Sequence, residues 1–138
     1  MDEKGYLNKK SYPDEIPETL LRDRLVNHFK TSKLFKKADI KSEYPIEGLG
    51  GFVDILADGE VWEIKVNEAN GLDVYQLFAY MDMGNFEKGY LVAKSFKTGA
   101  QSATEFIERT HNKKIELIER CELPINDPPN DKEIEVYY

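Results

Sequence analysis

Asp54, Glu63 and Lys65 lie within one stretch, FVDILADGEVWEIKV, at residues 52–66. Two β-branched and aromatic runs flank Asp58-Gly59, a strong short-range signal for a two-residue hairpin loop. With that loop, Ala57 pairs with Glu60, Leu56 with Val61, Ile55 with Trp62, Asp54 with Glu63 and Val53 with Ile64. The two carboxylates then face each other with Cβ atoms roughly 4.5–5.5 Å apart, an arrangement that is destabilising on its own. Lys65 follows on the same face, with Trp62, Ile64 and Val66 on the other. Opposed carboxylates call for a cation between them. Lys65 is one, and a divalent metal with oxygen ligands is the better one, because Mg²⁺ is typically held by one or two carboxylates plus waters and phosphates. A metal so held stabilises charge on a phosphoryl oxygen and lowers the pKa of a water.

The elements that must position these residues follow from pattern and punctuation. A first helix is expected from Pro17 through PETLLRDRLVNHFK, with Leu21, Leu25 and Phe29 on one stripe. Glu18 falls on that stripe, so it offers a third acid aimed at the sheet. Its alternative role is to complement the positive end of the helix dipole. Strands are expected at about 39–46, 51–57, 60–66, 88–95 and 113–119. Glu43, in the first of them, is a weaker acidic candidate. A second helix is expected at about 72–83, ended by Gly84 in a left-handed cap, with Gln76 and Tyr80 stacked four apart. A third is expected to start at Ser102, with Glu105 completing a capping box, and to run to about 111. The order α-β-β-β-α-β-α-β indicates an α/β domain with a mixed β-sheet flanked by helices. One domain is expected over 1–120. Residues 121–138 form an acidic, proline-broken tail, either a loop or arm or a terminal edge strand at 133–138.

Composition sets the outer bounds. The chain has 138 residues, 41% hydrophobic and 12% aromatic, enough for one core and far from the profile of a disordered chain. No run reaches the ~18 apolar residues of a membrane span. The first residues, MDEKGYLNKKSYPDE, lack the apolar core of a signal peptide, and a single cysteine, Cys121, excludes an internal disulfide. A cytoplasmic setting is expected. Net charge is −7, yet residues 22–41 carry seven Lys/Arg against two Asp, which leaves −12 for the rest. Within that basic segment Lys30, Lys33, Lys36 and Lys37 are candidates for phosphate contacts; the alternative is a solvated helix end.

Taken together, GFVDIL followed by VWEIKV, with an acid in the preceding helix and QLFAY in the next, resembles the PD-(D/E)XK (restriction-endonuclease-like) nuclease superfamily. The resemblance covers about residues 17–119. Val53 stands where the superfamily's name has proline. Gln76 and Tyr80 are similar to the QxxxY motif of RecB-like branches. The resemblance implies a restriction-endonuclease-like core and hydrolysis of phosphodiester bonds with Mg²⁺ or Mn²⁺, most simply in DNA, with RNA left open. It implies Asp54 and Glu63 as ligands together with the Ile64 backbone carbonyl, Glu18 as support for a ligand or second metal, and Lys65 as the residue that positions or activates water. Gln76 and Tyr80 would organise the site or contact DNA. Oligomers are common in the superfamily, so a homo-oligomer or larger assembly is a candidate partner; a membrane is not. Two other readings are a non-catalytic descendant that binds nucleic acid or a partner protein, and an unrelated α/β domain with decorative carboxylates.

Overall fold

The computed structural model describes residues 16–32, 39–48 and 50–138. Helix α1 (Glu18–Thr31) buries Leu20, Leu21, Leu25 and Phe29, the expected stripe with one leucine added. Strands β1 (Ile40–Ile46), β2 (Gly51–Ala57) and β3 (Glu60–Ile64) follow. The two-residue strand β4 (Glu68–Ala69) then leads into helix α2 (Gly71–Gly84). Strand β5 (Lys88–Ala93), the short β6 (Ser95–Phe96), helix α3 (Thr98–His111) and strand β7 (Lys114–Glu119) complete the order. After a single 3₁₀ turn at Arg120–Glu122, a last helix α4 spans Asp131–Tyr137.

The main sheet has the order β1-β2-β3-β5-β7. Its first three strands are antiparallel and the pairs β3/β5 and β5/β7 are parallel. This is the expected mixed sheet, and helices cover both faces. Val74, Leu77 and Met81 of α2 and Ala100, Ala103 and Ile107 of α3 pack on Val53, Leu56, Val61 and Leu91. On the other face α1 packs on Ile55, Trp62, Ile64 and Val92. Trp62 is wedged there between Phe29 and Tyr90, with ring centroids 4.9 and 4.1 Å away. Among the described residues no helix is long and apolar enough to cross a membrane.

The hairpin turns where its chemistry requires. Asp58 and Gly59 both take left-handed backbone, φ 50° and 82°, as a type I′ loop demands. The register begins as expected, with Ala57–Glu60, Leu56–Val61 and Ile55–Trp62. It does not continue to the expected Asp54–Glu63 and Val53–Ile64 pairs, and the two strands part there.

Other boundaries also differ from the sequence expectation. Helix α2 starts at a reciprocal cap between Asn70 and Asp73 and ends on Asn85, not Gly84, in the left-handed conformation; asparagine tolerates that region better than most residues. Helix α3 starts at Thr98 instead of Ser102. Its small first residues allow a close approach, since a Cβ placed on Gly71 would lie 3.1 Å from the Gly99 carbonyl oxygen. The paired β4 and β6 bring the two helix starts together. The expected edge strand at 133–138 is instead α4, because Asn130 and Glu133 form a reciprocal cap that commits the segment to a helix. Arg24 holds this helix against α1 through a two-point contact with Glu133 (3.0 and 2.7 Å) and a bond to the Ile125 carbonyl (3.0 Å).

Candidate active site at the fork between two strands

Where β2 and β3 part, side chains replace the missing ladder. The Asp54 backbone N–H donates to Glu63 Oε1 at 2.7 Å, and the Ile64 N–H donates to Asp54 Oδ2 at 2.7 Å. Each acid therefore satisfies a backbone donor of the opposite strand, which a buried N–H requires. On the β1 side the pairs Ser42–Ile55 and Tyr44–Val53 bracket the same level, and Glu43 between them has φ 51°. Alternation breaks here too: Val53 packs under α2 and α3, while Ile55 packs under α1. The irregularity in three adjacent strands centres on Asp54.

The environment works against ionised acids. Glu63 is buried, and burial first, then the charge of Asp54, push its carboxyl up to about 8, against the opposing pull of the Asp54 N–H and Lys65. Asp54 is also raised, by burial, although the Ile64 N–H, Glu18, Arg22 and Lys65 favour its charged form. Glu18 is raised by burial of its carboxyl and then by the negative charge of Asp54. As a whole residue Glu18 is exposed, contrary to the expectation that it shares the buried stripe. It sits at the first position of α1, two residues before the first buried leucine, Leu20, and joins the cluster from the rim. Three acids thus act on one another with too little positive charge among them.

Lys65 follows directly after β3, its N–H bonded to the Val92 carbonyl. Its ammonium lies 3.8 Å from Asp73 Oδ1, while the other Asp73 oxygen accepts from the Asn70 N–H at the start of α2. Asp73 thus ties Lys65 to the helix, a role its position three residues before Gln76 did not announce. Arg22 is the second missed residue. It lies one turn after Glu18 and favours the charged forms of both Glu18 and Asp54.

Tyr80 is half-buried and reaches the start of β2, where a Cβ on Gly51 would lie 2.9 Å from its hydroxyl. Gln76 is exposed one turn earlier, and among the described residues no hydrogen bond ties it to the carboxylates. Lys30 is exposed near the end of α1. Lys33, Lys36 and Lys37 fall outside the described residues.

For a divalent metal, the donor chemistry fits. Asp54 and Glu63 each commit one oxygen to a backbone N–H and have a second, and two carboxylates suffice for Mg²⁺. Among the described residues no three His, Cys, Asp or Glu side chains are already gathered as a cage, so the remaining ligands would be waters and substrate oxygens. A cleft of about 380 Å³ lies elsewhere, between α1 and the C-terminal segment, lined by Arg24, His28, Asp127 and Glu133. It contains none of these acids.

No family model matches this sequence, and no curated protein matches it either. Among solved structures, the chain is similar to the crystal structure of a repair endonuclease from Pyrococcus abyssi. The identity is 24% and the TM-score 0.47, over 70% of this chain and 45% of that one. This chain spans less than half the length of that protein.

Proposed function

We propose that this protein is a metal-dependent nuclease of the PD-(D/E)XK type that hydrolyses phosphodiester bonds in DNA. One observation carries the reading: at the fork two opposed acids take the place of the strand ladder, beside a lysine held from the next helix. A sheet bears that repulsion where a cation is due to bind, and buried, mutually perturbed acids mark functional sites.

In this reading Asp54 and Glu63 hold Mg²⁺ or Mn²⁺ through their uncommitted oxygens, aided by the Ile64 carbonyl, while Glu18 supports the set from the rim. The ion, when bound, supplies positive charge against the phosphoryl oxygens and acidifies water. Lys65 orients the attacking water and adds charge where the transition state develops it. Asp73 fixes the Lys65 side chain in place, so that little reorganisation is left for the chemical step. Tyr80, packed at the start of β2, and Gln76 contact the nucleic acid or brace the strand that carries Asp54.

The test is incubation with supercoiled, linear and branched DNA in Mg²⁺, Mn²⁺ or EDTA, beside Asp54→Asn. Cleavage should require metal and vanish in the variant. Folded wild-type protein that binds DNA and cuts none of these substrates in either metal would make it a binding module instead.

A further inference from the structure

Arg22 has a half-satisfied guanidinium beside the fork. Its Nε and Nη2 hold Asp23 Oδ1 at 3.0 and 2.9 Å, and its Nη1 donates to Glu43 Oε2 at 2.9 Å. Among the described residues its hydrogen bonds, from Nε and Nη1, use two of the five donors an arginine carries, and Nη2 adds an ion-pair contact to Asp23. The two carboxylates are held differently. Asp23 takes a hydrogen bond and an ion-pair contact from Arg22 and a second hydrogen bond from the Tyr137 hydroxyl of α4, which anchors it. Glu43 takes one, and its side chain is 56% exposed against 15% for that of Arg22. Glu43 also stands opposite Asp54 in the β1–β2 register, at the level where no backbone pair forms, on backbone with φ 51°. A glutamate in that conformation is uncommon and costs energy, and such residues gather at functional sites.

We propose that Arg22 binds the phosphodiester backbone of the substrate beside the scissile bond, and that Glu43 occupies Arg22 in the free protein as a displaceable stand-in for that phosphate. The inference rests on the nuclease reading and adds to it a residue for substrate affinity and an internal competitor. An anion delivered to Asp54 and Glu63 arrives next to the Glu43 end of Arg22, because register sets Glu43 at the level of Asp54. Guanidinium suits this exchange, since its planar fork matches phosphate as well as carboxylate. The Asp23–Tyr137 anchor keeps the arginine in place while the partner at Nη1 changes. Displacement costs little, because a single contact to an exposed carboxylate is weak.

The sign of one substitution separates this from a purely structural ion pair. Glu43→Gln removes the competitor and should tighten DNA binding about three- to five-fold, the worth of one exposed pair. Loss of a structural brace would instead weaken binding or leave it unchanged. Glu47→Gln, an exposed acid beyond the same strand, controls for the general loss of negative charge and should tighten binding less. Arg22→Gln should weaken binding about ten-fold, the scale of a charge-assisted bond, and in that background Glu43→Gln should add nothing. Arg22→Lys keeps the charge without the fork, and serves if Arg22→Gln does not fold.

The measurement is fluorescence anisotropy of a labelled duplex and its single strand with full-length protein carrying Asp54→Asn, beside cleavage by the Asp54 forms. Tighter binding in Glu43→Gln that disappears without Arg22 is the expected result. If the protein cleaves DNA and Glu43→Gln binds no tighter than Glu47→Gln, the inference is overturned and the nuclease reading stands. If Asp54 protein neither binds nor cuts DNA, both fall.

Discussion

Glu63→Gln should change how stability depends on pH, by an amount the structure sets. The Glu63 carboxyl has its pKa raised from 4.5 to about 8 in the folded protein. Between those values the folded state holds a proton that the unfolded chain has released. Stability therefore falls as pH rises through this window and is greatest below it. One pKa unit corresponds to about 1.4 kcal/mol, so going from pH ~5 to pH ~8 should cost wild type at most about 4 kcal/mol. The true figure is smaller to the extent that Asp54 and Glu18 share the same proton. Glutamine keeps an oxygen to accept from the Asp54 N–H and removes the titration. The variant should match wild type near pH 5, exceed it near pH 8, and show a flatter profile between. Urea unfolding in EDTA at several pH values measures this directly. Parallel wild-type and variant profiles would refute the claim that Glu63 is a buried, strained acid, and with it the case for cation binding at this pair.

Three further outcomes follow from the same geometry. At pH near 8 a divalent ion should raise the melting temperature, by about 2.7 kcal/mol of stability at roughly a hundred times its Kd; Asp54→Asn should lose most of that gain, and an equal gain in both would place the ion elsewhere. Lys65→Met should keep metal affinity by calorimetry and change stability by less than ~1 kcal/mol, since its pair with Asp73 is partly exposed. Single-turnover cleavage should nevertheless fall about 10²-fold or more, the scale of one lost charge-stabilising donor, and an undiminished rate would make Lys65 an ordinary surface lysine. Reversing the charge of Lys33 and Lys36 should lower the salt slope of DNA binding by about one for each phosphate contact removed, and an unchanged slope would return that segment to solvent.

The closeness of Asp54, Glu63 and Lys65 is legible in the sequence because two strong rules bring them together, although the strict pairing those rules predict does not form. Asp58-Gly59 fixes the loop, and the period of two along a strand fixes which residues look the same way. Neither rule says where a ladder stops. FVDIL places two apolar residues on each side of Asp54, which a strand covered on both faces also shows, so nothing local marks Asp54 as the residue at which strands part. That depends on β1, whose Glu43 leaves the extended region with no glycine to announce it. Arg22 and Asp73 were hidden for a related reason, since their partners come from distant strands or from a cap whose pattern, Asn70 with Asp73, departs from the usual Ser/Thr with Glu/Gln. At the C-terminus the alternating EIEVYY suggested a strand, and a cap at its start outweighed that pattern.

These misses share a direction. Local pattern reads which side chains could meet, and tertiary geometry decides which polar groups are left without a backbone partner. At the fork that decision falls on two acids, and they answer it by bonding each other's strand. The arrangement gives the carboxylates fixed directions before any ligand arrives, since each has one oxygen locked. In the proposed reading, a cation would meet this fixed and partly committed pair already oriented. An ordinary solvated pair at the end of two strands would rotate into water and leave Asp54 and Ile64 to find other partners. The two 2.7 Å bonds are therefore the feature on which the proposed site rests, and they belong to the backbone as much as to the acids.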